Sequence, residues 1–113
     1  MNRTVIKAVN EPNETKIFIG GSVDMAKDKC LEYCTRVGLC VTVTPTTYMY
    51  RGGGCEGVII GLINYPRFPS TTQQIWAHAM NLAYELKAYL GQGSFTVQNH
   101  NVSTFVSDRD EDQ

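Results

Sequence analysis

The chain lacks a Cys-x-x-Cys pair, and no histidine stands at zinc-finger spacing from its four cysteines. A zinc module is therefore not expected, and the four thiols are read as reduced and mostly buried. Apolar runs long enough to cross a membrane, roughly 20 residues, are also missing. The first residues, Met1-Asn2-Arg3-Thr4-Val5-Ile6-Lys7, carry no signal-peptide apolar core, so a cytoplasmic protein with no membrane partner is expected. Charge of one sign is missing as well. Ten basic residues face eleven acidic ones, for a net charge of −1. Without a global basic field, a salt-driven grip on long nucleic acid is excluded. Finally, no GxSxG, HExxH or P-loop pattern occurs, so no catalytic signature and no cofactor fingerprint is present.

What is present is ordinary globular material. Hydrophobic residues make up 42% of 113 residues and charged residues 19%, which fits one domain spanning 1–113. Residues 1–15, with the breaker cluster Asn10-Glu11-Pro12-Asn13-Glu14, read as an N-terminal arm, and the charged tail 107–113 reads as frayed.

Between them, Lys16–Ile19 is strand-like and stops at Gly20-Gly21, where Ser22 or Asp24 can cap a helix. Ala26, Cys30, Tyr33, Cys34 and Val37 then fall on one helical face, and Gly38 stops it. Leu39, Val41 and Val43 alternate with polar residues as a strand, which Pro45 bends, bulges or places at an edge. Tyr48–Arg51 continues it into the turn Gly52-Gly53-Gly54. Gly57–Ile63 is an apolar run without clear alternation, expected as a central strand. Ile75, Ala79, Leu82, Ala83, Leu86 and Leu90 form the longest apolar stripe, predicting a helix over Thr71–Leu90. Ser94–Gln98 and Val102–Val106, joined by Asn99-His100-Asn101, predict a closing hairpin.

The order is β-α-β-β-α-β plus a final strand. It predicts an α+β fold, a ferredoxin-like split βαββαβ plait with both helices on one face of an antiparallel sheet and an extra C-terminal strand. The other face then needs cover. Tyr48, Tyr50, Ile60 and Leu62 are candidates to line it, and a homo-oligomer packed through that face is expected.

The segment Asn64-Tyr65-Pro66-Arg67-Phe68-Pro69-Ser70-Thr71-Thr72 is the likeliest working surface in composition. Two prolines fix the backbone around Arg67. Ser70 or Thr71 can be the N-cap, with Gln73 or Gln74 closing a capping box. A helix start, hydroxyls and an arginine together suit a phosphate or carboxylate. In this reading Arg67, Ser70, Thr71 and Thr72 hold the anion, Tyr65 or Trp76 stacks a base, and Asn64 reads its edge. Arg51 and Gly53, in the glycine-rich turn, are secondary candidates to cradle an anion, as are Gly20-Gly21-Ser22. His78 lies on the long helix, but no nucleophile accompanies it.

The element order resembles that of the tautomerase-type muconate isomerases, which are trimeric. Those enzymes use an N-terminal proline as base. Position 2 here is Asn and the nearest proline, Pro12, is internal, so that chemistry does not carry over. The stretch GVIIGLINYPRFPS with the downstream GQGSFTVQ resembles small bacteriophage proteins. That resemblance raises counter-defence, including the oligomeric sponges of the Thoeris anti-defence type, which bind cyclic nucleotide signals between subunits without cleaving them. The expectation is thus a non-catalytic homo-oligomer that sequesters a small anionic cyclic nucleotide. A small isomerase using His78 or Arg67, and a protein–protein inhibitor using the open sheet face, are the alternatives.

Overall fold

Strand β1 (Glu14–Gly20) alternates strictly, with Thr15, Ile17 and Ile19 buried and Lys16 and Phe18 turned to the other side. The computed structural model describes residues 13–64 and 70–109. Glu14 and Thr15, expected within the N-terminal arm, already pair with Ile63 and Leu62.

Helix α1 (Val23–Val37) starts where the Ser22 hydroxyl accepts from the Met25 amide at 3.2 Å. It ends at Gly38, whose φ of 72° is open to a residue without a Cβ. β2 (Thr42–Tyr50) and β3 (Gly53–Ile63) form a hairpin closed by the two-residue turn Arg51-Gly52. Pro45 sits on β2 without breaking it, because β2 is an edge strand and can lose a donor there. α2 (Thr72–Leu90) opens with a capping box. The Gln74 amide donates to the Thr71 hydroxyl, and the Thr71 amide donates back to the Gln74 side chain. β4 (Ser94–Gln98) and β5 (Ser103–Ser107) complete the chain as a second hairpin.

All strand pairs are antiparallel, in the order β2-β3-β1-β4-β5. This is the expected ferredoxin-like plait with one added strand. The core lies between the sheet and the helices, where Ala26, Cys30 and Tyr33 of α1 and Ile75, Ala79, Leu82, Ala83 and Leu86 of α2 are buried against Ile17, Ile19, Val58, Ile60, Leu62, Phe95 and Val97. Each fully buried Leu or Ile contributes about 1.5–3 kcal/mol relative to exposure. A partly exposed network ties α1 to α2. Arg36 and Lys29 both bond Glu32 and Glu85, and the Arg36 guanidinium lies 5.0 Å from the centre of the Tyr33 ring.

Three expectations need correction. Ile60 and Leu62 do not line the open sheet face; they are 0% and 1% exposed under the helices. The two-residue turn pairs Tyr48 with Cys55 and Tyr50 with Gly53, so odd-numbered residues of β3 share the face of Tyr48 and Tyr50. Second, Cys40 and Cys55 are exposed, and only Cys30 is fully buried. Third, the tail does not begin at Ser107, which is the last residue of β5. Asp108 is tied by its amide to the Gly93 carbonyl and by its carboxylate to Lys87.

Candidate functional site

The open sheet face is assembled by register. Thr44, Ile59, Phe18, Thr96 and Phe105 form one row across all five strands, each paired with the next. One step toward the β2–β3 turn, Gly57 and Gly20 pair directly. The Tyr48 ring covers Gly57, and beside it Gly20, which carries no side chain, floors a hollow. Tyr48 and Tyr50 from β2, Phe18 from β1 and Phe105 from β5 wall it, and Gln92, Ser94 and Arg109 sit at the rim. The resulting groove has a volume of about 630 Å³, enough for a nucleoside-sized ligand.

Individual side chains in the groove are held in place. The Tyr48 hydroxyl donates to the Val58 carbonyl at 2.7 Å, and burial pushes that phenol above its ordinary pKa. Arg109 donates through Nη2 to the Ser94 hydroxyl at 2.9 Å, while its amide donates to the Ser107 hydroxyl. Tyr50 and Phe105 keep 61% and 55% of their surface exposed, an unusual investment of aromatic area on a wet face. Arg109 is the one charged side chain among the described residues lining the groove. Aromatic faces accept flat rings and cationic centres. A guanidinium accepts a carboxylate or phosphate. The described lining supplies binding groups, the Cys55 thiol among its polar side chains, and no acid–base pair.

The residues expected from sequence fall at two ends of the molecule. Tyr65 and Arg67 lie outside the described residues. Asn64, Ser70, Thr71, Thr72 and Trp76 gather where α2 begins. Arg51 and Gly53 lie at the other end of β3, roughly 30 Å away at the rise of an extended strand. They cannot surround one small ligand within a single chain. Arg51 and Gly53 flank the aromatic groove through Tyr50. At the α2 end the polar groups are engaged in building the turn. The Asn64 carboxamide oxygen accepts from the Ser70 backbone amide at 2.8 Å, the Asn64 backbone amide donates to the Asn13 backbone carbonyl, and the Asn13 carboxamide donates to the Thr72 hydroxyl at 2.7 Å. The capping box uses the Gln74 amide, which lessens what the helix start can offer an anion.

His78 is half-buried, with Nδ1 3.0 Å from the hydroxyl of buried Tyr33. The same hydroxyl is 3.4 Å from the His78 carbonyl. The pair ties α1 to α2.

The sequence reading missed Phe18, Phe105, Ser94 and Arg109. They come from β1, β4, β5 and the residues just after, and only strand pairing brings them together. Alternation within each strand was the available signal, since it puts Phe18 opposite Ile17 and Ile19.

The molecule is thus an α+β plait whose helices cover one sheet face and whose other face carries an aromatic groove. Two solved structures share this architecture. A phage SAM lyase in complex with S-methyl-5′-thioadenosine superposes with a TM-score of 0.68 and 16% sequence identity, over 93% of this chain and 96% of that one. A phage SAM lyase in the apo state gives 0.70 and 15%, over 94% and 98%. At such identity the likeness is one of fold. No family model and no curated protein matches the chain. Among the described residues, no helix is long and apolar enough to cross a membrane.

Proposed function

We propose that this protein is a phage counter-defence factor that binds S-adenosylmethionine in the sheet-face groove and cleaves it to S-methyl-5′-thioadenosine. The observation that carries the reading is the joining of four aromatic rings, Phe18, Tyr48, Tyr50 and Phe105, with Arg109 in one groove. Full-length likeness of fold to phage SAM lyases supports it. The ligand combines a flat base, a sulfonium cation and a carboxylate. The rings suit the first two by stacking and cation–π attraction, and Arg109 suits the third. The Ser94 and Thr96 hydroxyls suit the ribose.

S-methyl-5′-thioadenosine keeps both the methyl and the adenosyl group on sulfur, so the bond that breaks joins sulfur to Cγ of the amino-acid chain. Its electron pair stays on sulfur, which becomes a neutral thioether. The described lining holds no carboxylate or imidazole to act as base, and the step needs none: the substrate's own carboxylate closes on Cγ as the bond breaks, giving a lactone without proton transfer or co-reactant. Opposite charges cancel in that step, which apolar walls favour over water. The role of the protein is to hold carboxylate and Cγ within reach.

A second reading is capture without turnover of a cyclic nucleotide, favoured by the stacking rings and the Arg109 guanidinium, which suit a base and a phosphate. Calorimetry against S-adenosylmethionine, S-methyl-5′-thioadenosine and cyclic dinucleotides, with mass spectrometry of the mixture, separates the two. The proposal expects S-adenosylmethionine to bind, the thioadenosine to accumulate, and both to fail in Tyr50→Ala and Arg109→Ala. Binding of cyclic nucleotides alone would overturn it. Native mass spectrometry tests the accompanying expectation of a homo-oligomer.

A further inference from the structure

We infer that the groove between the first turns of α2 and the β4–β5 turn is a second ligand site, one that takes an uncharged nucleobase stacked on Trp76. It has a volume of about 440 Å³ and lies at the end of β4 opposite the aromatic groove, about 15 Å along the strand. Trp76 packs against the core on one side and lines this groove on the other, so its ring is held before any ligand arrives. Val102, 48% exposed, lines it as well.

The polar groups around these apolar walls suit the edge of a base. The Asn99 carboxamide oxygen accepts from the amides of Asn101 and Val102, both at 2.9 Å, which leaves its two amide hydrogens as donors. The Thr72 hydroxyl accepts from Asn13, which leaves its hydrogen to donate. Asn101 and Gln73 are exposed carboxamides, each with donors and an acceptor, the complement that purine and pyrimidine edges require. None of the described residues lining the groove is charged. Affinity therefore comes from stacking and amide hydrogen bonds, with no phosphate grip and little dependence on salt.

Trp76 is the sole tryptophan of the chain, so intrinsic tryptophan fluorescence reports on this groove directly. The full chain is titrated with adenosine, guanosine, cytidine and uridine at low and high salt. Saturable quenching by at least one nucleoside, equal at both salts, is expected. Asn101→Ala and Gln73→Ala weaken it by about tenfold each, the worth of a well-made hydrogen bond. Circular dichroism verifies that both variants fold. Tyr50→Ala, in the other groove, leaves the quenching intact. No quenching by any of the four, quenching insensitive to Asn101→Ala and Gln73→Ala, or quenching lost in Tyr50→Ala would each overturn the inference. Because the sheet-face groove is tested separately by calorimetry, failure at one site is distinguishable from failure at the other.

Discussion

The ring of Tyr48 lies across Gly57 on the neighbouring strand, and its hydroxyl reaches one residue further to donate to the carbonyl of Val58 at 2.7 Å. A Cβ on Gly57 would stand 2.4 Å from Cε2 of Tyr48 and 2.6 Å from the backbone oxygen of Ile19. The second of these is backbone of the central strand and cannot rotate away. Gly57→Ala should therefore destabilise the fold by about 1–3 kcal/mol through overpacking. Tyr48→Phe should cost about 0.5–1.5 kcal/mol for the lost hydrogen bond. Urea unfolding checks both. An unchanged midpoint for Gly57→Ala would mean the two strands are not packed as described.

Thr15 is fully buried, and its hydroxyl finds no hydrogen-bond partner among the described residues. Replacing it with a valine of the same shape removes the unsatisfied group and keeps the volume. Thr15→Val should raise stability by about 1 kcal/mol, against the usual trend of core substitutions. A lower melting temperature for the variant would refute this.

Acid should weaken the ion pairs that Glu32 makes along α1. Hydrogen bonds from Arg36 and then Lys29 pull the Glu32 carboxyl from its ordinary value near 4.5 down to about 2. A carboxylate with a depressed native pKa adds stability above its unfolded value, and that contribution is lost as pH falls from about 4.5 toward about 2. Glu32 and Arg36 are about half exposed, so the effect is small and fades with salt. Denaturation midpoints measured between pH 6 and 2 should fall more steeply for the wild type than for Glu32→Gln. Parallel curves would remove Glu32 from the account.

Thiol reactivity should follow the fold. Cys40 and Cys55 are exposed, Cys34 is half-buried, and burial followed by the proximity of Cys34 pushes the Cys30 thiol up to about 12. Alkylation followed by peptide mapping should modify Cys40 and Cys55 first and Cys30 last. Cys55 lines the aromatic groove and Cys40 does not. Saturating S-adenosylmethionine should protect Cys55 and leave Cys40 reacting at its original rate. Equal rates for Cys55 with and without the ligand would place the ligand elsewhere.

The apolar stripe of α2 was legible because helical periodicity is local: Ile75, Ala79, Leu82, Ala83 and Leu86 are each spaced to one face, and each is buried. The Thr71–Gln74 capping box was legible for the same reason, since its partners lie three residues apart. The faces of β3 were not legible. A run of apolar residues offers no alternation to read, and Gly52-Gly53-Gly54 allows more than one turn length. A turn one residue longer would have turned Ile60 and Leu62 to the open face.

Local chemistry in the sequence determined the elements, their order and their caps, because each depends on residues within a few positions. It also made the Asn64–Thr72 segment conspicuous, although its described polar groups close a turn. Only tertiary structure decided where an aromatic groove forms. Phe18, Tyr48 and Phe105 are spread over most of the chain, and they become neighbours through cross-strand register, which no short window of sequence contains.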